Sequence, residues 1–112
     1  GRSVGRDAGR SPEVRVHIGL HAAADAHPRT VQDTLLEAAR AHPEVMTAPG
    51  PNALIVEFEG DTNRYDLEFW IRDPIRAPYV TSDVRVRIWE LFEERGIEMN
   101  VPQDIMLVKP EA

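Results

Sequence analysis

His42-Pro43-Glu44-Val45-Met46-Thr47-Ala48-Pro49-Gly50-Pro51 runs into Leu54-Ile55-Val56-Glu57-Phe58, so a helical stripe gives way to a strand across three prolines. Pro43 stops the helix, because proline disfavours helical backbone in the residue before it. Upstream of that stop, Val31, Leu35, Ala38, Ala39 and His42 recur at helical spacing. The helix opens at His27-Pro28, where proline's missing N–H has no helical partner to lose. Downstream, a period of two predicts a strand over Asn52–Glu59, with Leu54, Val56 and Phe58 inward. Gly60-Asp61-Thr62-Asn63 reads as a hairpin connection. Tyr65, Leu67, Phe69 and Ile71 form the inward face of the returning strand, which Asp73-Pro74 ends.

Further out, Val14, Val16, Ile18 and Leu20 share one face of a first strand, and Arg15, His17 and His21 the other. Ser82-Asp83 gives an N-cap signal for a second helix, whose apolar stripe is Val84, Ile88, Leu91 and Phe92. Gly96 suits a left-handed cap, with Ile97 folding back as its apolar partner. Ile105 to Val108 is expected to form a short last strand. The order β-α-β-β-α-β is the α+β, ferredoxin-like pattern: an antiparallel sheet with two helices on one face. The expected core contains Val16, Ile18, Leu35, Val56, Phe58, Leu67, Phe69, Ile88 and Leu91. The other sheet face, with His17, Glu57, Glu68 and Trp70, is left to solvent or a partner.

Composition fits one domain. A chain of 112 residues, 42% hydrophobic and 29% charged, can bury a real core and is not a disordered composition. A net charge of −6 argues against a nucleic-acid partner. Without cysteine there is neither a disulfide framework nor a thiolate nucleophile. No apolar run approaches the roughly 20 residues a membrane helix needs, and the N-terminus lacks a signal-peptide core. Residues 1–12 hold three glycines and three arginines and read as a flexible linker, with residues 13–112 as the folded domain.

Catalytic chemistry is poorly supported. His17 and His21 share a strand face but stand roughly 13 Å apart, too far to hold one ion together in a regular strand. His21, Asp25 and His27 could converge only if that strand ended before His21; a polar loop leading into a helix is the plainer reading. Glu57 with Glu59, and Asp66 with Glu68, alternate along strands as solvated faces do. Ser82 has no nucleophile elbow, and Gly50 and Gly60 make no phosphate loop. The expectation is therefore no catalytic, cofactor-binding or metal-ligating set, and no enzyme. Trp70, on the polar parity of its strand, suits either local packing across strands or an interface anchor, whereas Trp89 suits core or helix-edge packing.

Taken in order, His42-Pro43-Glu44-Val45, Pro49-Gly50-Pro51, the hairpin, the second helix, Gly96-Ile97 and Pro102-Gln103 resemble the cytoplasmic C-terminal domain of the MscS-type (small-conductance mechanosensitive) channel family. The likeness spans Val14 to Val108. Two departures stand out: the loop from Gly19 to His27 looks about two residues longer than the family's, and Asn100-Val101-Pro102-Gln103 lacks the family's extra proline and aromatic. The resemblance implies a domain on the cytoplasmic side of the membrane, soluble as a fragment. Seven copies would form a hollow cage below pore helices that this chain does not contain. Ions and small osmolytes would pass through that cage under hypo-osmotic stress. It further implies subunit contacts at Trp70, Pro102, Gln103, Ile105 and Leu107, the last strand joining a small barrel at the cage base. The alternative is a stand-alone ferredoxin-like regulatory module that binds a small ligand.

Overall fold

The computed structural model describes residues 12–99. The chain runs β1 (Val14–Ala23), α1 (Pro28–Arg40), β2 (Asn52–Glu59) and β3 (Thr62–Ile71), then a 3₁₀ turn (Pro74–Arg76) and α2 (Ala77–Arg95). The sheet order is β1-β3-β2, with β3 antiparallel to both neighbours. β1 and β2 thus run parallel with β3 between them, as a split β-α-β unit requires. The expected strand Ile105 to Val108 lies outside the described residues.

One core joins the sheet to both helices. Ile18, Tyr65, Leu67, Phe69 and Ile71 from the sheet meet Val31, Leu35, Ala38 and Ala39 of α1 and Val80, Val84, Ile88, Leu91 and Phe92 of α2. Burying one large apolar side chain is worth about 1.5–3 kcal/mol, so this cluster is what holds the helices against the sheet. The helix ends follow local chemistry. His27 Nδ1 accepts a hydrogen bond from the Arg29 N–H, and Pro28 occupies the first turn. Gly96 adopts φ 67°, where a side chain would be strained, and Ile97 donates its N–H to Phe92 and is buried.

Three expectations are corrected. First, Leu54, Val56 and Phe58 are exposed, at 47%, 47% and 73%, while Ala53 and Ile55 pack on the core. Register with β3 causes this: Ala53 faces Leu67 and Ile55 faces Tyr65, the parity buried under the helices. Val56, between Ile55 and the Glu57 that faces Arg64, is the unpaired extra residue of a β-bulge. Leu54 therefore lies opposite Asp66 on the open face. Phe58, opposite Asn63, returns to the parity of Phe69 but near the hairpin turn, where it is left open. Second, α2 begins at Ala77 rather than near Ser82. Asp73 caps the preceding 3₁₀ turn, its Oδ1 accepting from the Ile75 N–H, while Arg76, at the N-cap of α2 itself, makes no side-chain cap bond. Val80, fully buried, draws the extra turn onto the core. Third, β1 does not give way to a loop at Gly19. It pairs with β3 through Ala22↔Asn63 and Ala23↔Thr62, where both alanines are buried.

Candidate functional site

Helices cover one face of the sheet, and the opposite face carries nearly all of the chemistry. Register alone builds it. Going up β1 against β3, Arg15 faces Trp70, His17 faces Glu68, Gly19 faces Asp66 and His21 faces Arg64. From the other side, β2 brings Asn52 to Glu68, Leu54 to Asp66 and Glu57 to Arg64.

Two polar networks result. At the hairpin end, Arg64 donates to Glu57 at 2.8 Å and to Glu59 at 3.2 Å, and His21 Nε2 donates to Glu59 at 3.0 Å. Bonding to Glu57 first, then Glu59, holds the Arg64 guanidinium above its ordinary range. In the middle of the face, His17 Nδ1 donates to Asp66 Oδ2 at 2.9 Å and lies 3.7 Å from Glu68 Oε2. At the far end, the Arg15 guanidinium lies 6.0 Å from the centroid of the Trp70 ring. A separate cluster ties the two helices together. His42 Nδ1 accepts from the Glu44 N–H, so its Nε2 carries the proton donated to Asp83 at 2.9 Å. Arg76 grips Glu44 with two bonds, which holds the Glu44 carboxyl below the usual carboxylate range.

The structure separates His21, Asp25 and His27: His21 pairs with Glu59 across the sheet, and His27 caps α1. It places Trp70 on the open face, half-buried, beside Arg15. Pro102, Gln103, Ile105 and Leu107 lie outside the described residues. Trp89, expected at a packed helix edge, is 57% exposed. It belongs to a second apolar stripe on α2 and its leading turn, with Ile75, Tyr79 and Val86 at helical spacings of four, seven and three. Sequence reasoning missed this stripe because α2 is apolar on two sides, so the core stripe masked it. It also missed the convergence of His17 with Asp66 and Glu68. Pairing the known parities of β1 and β3 in antiparallel register was the signal that could have found it.

The described residues contain no helix long and apolar enough to cross a membrane. A search of curated proteins finds no match to this sequence. Among solved structures, the fold is similar to Helicobacter pylori MscS in its closed state, with a TM-score of 0.72 at 13% identity, covering 80% of this chain and 35% of that one. It is similar also to Arabidopsis thaliana MSL1, with a TM-score of 0.69 at 13% identity, covering 82% of this chain and 35% of that one. A variant of MSL1 gives 0.70 at 9% identity, covering 82% and 36%. The chain thus spans about a third of the length of these channels. The family model described as "Mechanosensitive ion channel MscS, C-terminal" matches residues 14–99. That is a family of channel domains rather than of enzymes, and this chain belongs to it.

Proposed function

We propose that this domain is a wall segment of the cytoplasmic cage of a mechanosensitive channel, through which ions and small osmolytes leave under hypo-osmotic stress. The family match over residues 14–99 carries the reading. Surfaces the fold leaves unpartnered support it: the open sheet face, the exposed Leu54, Val56 and Phe58 of β2, and the outer stripe of α2. Monomers rarely expose so many large apolar side chains in groups without a partner for them. In this reading seven copies assemble. Trp70 lies at a subunit contact, Pro102 and Gln103 lead into the last strand, and Ile105 and Leu107 place that strand in the shared barrel. Residues 1–12 link the domain to what precedes it, and pore helices on another part of the parent protein span the membrane.

The isolated chain is then a monomer at micromolar concentration. Association must overcome roughly 4–15 kcal/mol of lost freedom, and copies carrying a charge of −6 repel one another. Light scattering should report a mass near 12.6 kDa; a stable multimer at low salt would contradict that expectation. The functional reading is tested by replacing the C-terminal domain of Helicobacter pylori MscS with this chain in bacteria lacking their own channels. Survival of a hypo-osmotic downshift is expected. Death of cells whose chimera reaches the membrane as an assembled particle would reject the reading.

A further inference from the structure

We propose that His17, Asp66 and Glu68 form a divalent transition-metal site at the centre of the open sheet face. Their donor atoms, one imidazole nitrogen and two carboxylate oxygens, all lie within 4.8 Å of one another. Donors held about 2.1 Å from a tetrahedral zinc ion stand about 3.4 Å apart. The distances from His17 Nδ1 to the two carboxylates, 2.9 and 3.7 Å, bracket that value, so small side-chain rotations make room for an ion. The backbone is already set, since His17 and Glu68 are direct cross-strand partners and Asp66 is two residues along the same strand. Gly19, the partner of Asp66, leaves open space beside the cluster: a Cβ built there meets nothing within 4 Å.

Charge balance is the second, independent argument. The other carboxylates of this face, Glu57 and Glu59, are both paired with Arg64. Among the described residues, Asp66 and Glu68 form no ion pair with lysine or arginine, and His17 is their only basic neighbour within 4 Å. Two adjacent carboxylates without a cation are the arrangement a dication relieves. The imidazole sets the class of ion, because nitrogen favours zinc, nickel or cobalt over magnesium or calcium. The remaining coordination positions face solvent and are open to water or to a group from outside the chain. A bound ion joins β1 to β3 across the middle of the sheet and stabilises the folded state by mass action.

The test is calorimetric titration of the untagged 112-residue chain with zinc chloride, and with magnesium chloride in parallel. The expected result is one zinc per chain with a dissociation constant in the micromolar range, about −8 kcal/mol, and no magnesium binding at the same concentrations. His17→Ala and Glu68→Gln should each weaken zinc by at least about tenfold, the scale on which metal sites respond to loss of a supporting group. His21→Ala should leave it unchanged. His17→Gln substitutes if the alanine variant fails to fold, which circular dichroism reports. Absence of zinc heat in the micromolar range overturns the proposal. So does zinc binding that survives both His17 and Glu68 substitutions, which would mean an adventitious ion only.

Discussion

β2 and β3 are hydrogen-bonded neighbours that read almost alike, each with large apolar residues at every second position, yet they have opposite fates. In β3, Asn63, Tyr65, Leu67, Phe69 and Ile71 are all buried beneath the helices. In β2, Leu54, Val56 and Phe58 are the most exposed large apolar side chains of the sheet, and the smaller Ala53 with Ile55 meets the core. β3 is paired on both sides and lies under both helices, whereas β2 is an edge strand carrying a bulge. Alternation therefore identifies a strand, while position in the sheet decides which parity is buried.

Truncation should separate the two strands most sharply. Leu67→Ala removes a side chain with no solvent exposure and should cost about 2–5 kcal/mol, lost transfer energy plus a cavity. Leu54→Ala should stay within about 0.5 kcal/mol. Urea unfolding of both variants checks this, and equal losses would mean that β2 contributes its larger stripe to the core after all.

The next effect sharpens the description of β3 itself. The Tyr65 hydroxyl is buried and has no hydrogen-bond partner among the described residues. Burial pushes its pKa above the ordinary tyrosine value; Asn63 opposes this without reaching bonding geometry. An unpaired buried hydroxyl is a cost, so Tyr65→Phe should raise stability by about 1 kcal/mol. A loss of similar size would show that the hydroxyl bonds a group outside residues 12–99.

The smallest effect lies away from the sheet. Glu44 titrates below the usual carboxylate range because of Arg76, so its folded pKa is lower than its unfolded one. That contribution is fully present above the unfolded pKa and is lost as pH falls through the folded value. The stability gap between the native chain and Glu44→Gln should be flat near neutrality and shrink in acid. The pair is solvent-exposed, so the gap is small. A gap that widens in acid would reverse the assignment.

These contrasts show what could be read from residues alone. The order of elements, the Pro28 start and the Gly96 stop of the helices were legible, because each rests on backbone chemistry local to a few residues. The burial of β3 was legible because only one of its parities is apolar. β2 was not, because both Ala53-Ile55 and Leu54-Val56-Phe58 can face a core, and the choice is made by its register with β3, a pairing event between two strands. The start of α2 was missed because α2 has no side-chain cap of its own: it continues from the 3₁₀ turn that Asp73 caps, and Val80 reaching the core settles where it begins. The cluster of His17, Asp66 and Glu68 depends on residues 49 and 51 positions apart in sequence, so only the register could assemble it.

Fluorine NMR addresses the burial inversion directly, since the chain has only three phenylalanines, Phe58, Phe69 and Phe92. With fluorophenylalanine incorporated, exchange from water to deuterium oxide shifts the resonances of solvent-exposed rings. One resonance should shift strongly and vanish in Phe58→Leu, while those of Phe69 and Phe92, at 0% and 2% exposure, stay fixed. A Phe58 resonance as insensitive to the solvent as that of Phe69 would contradict the account.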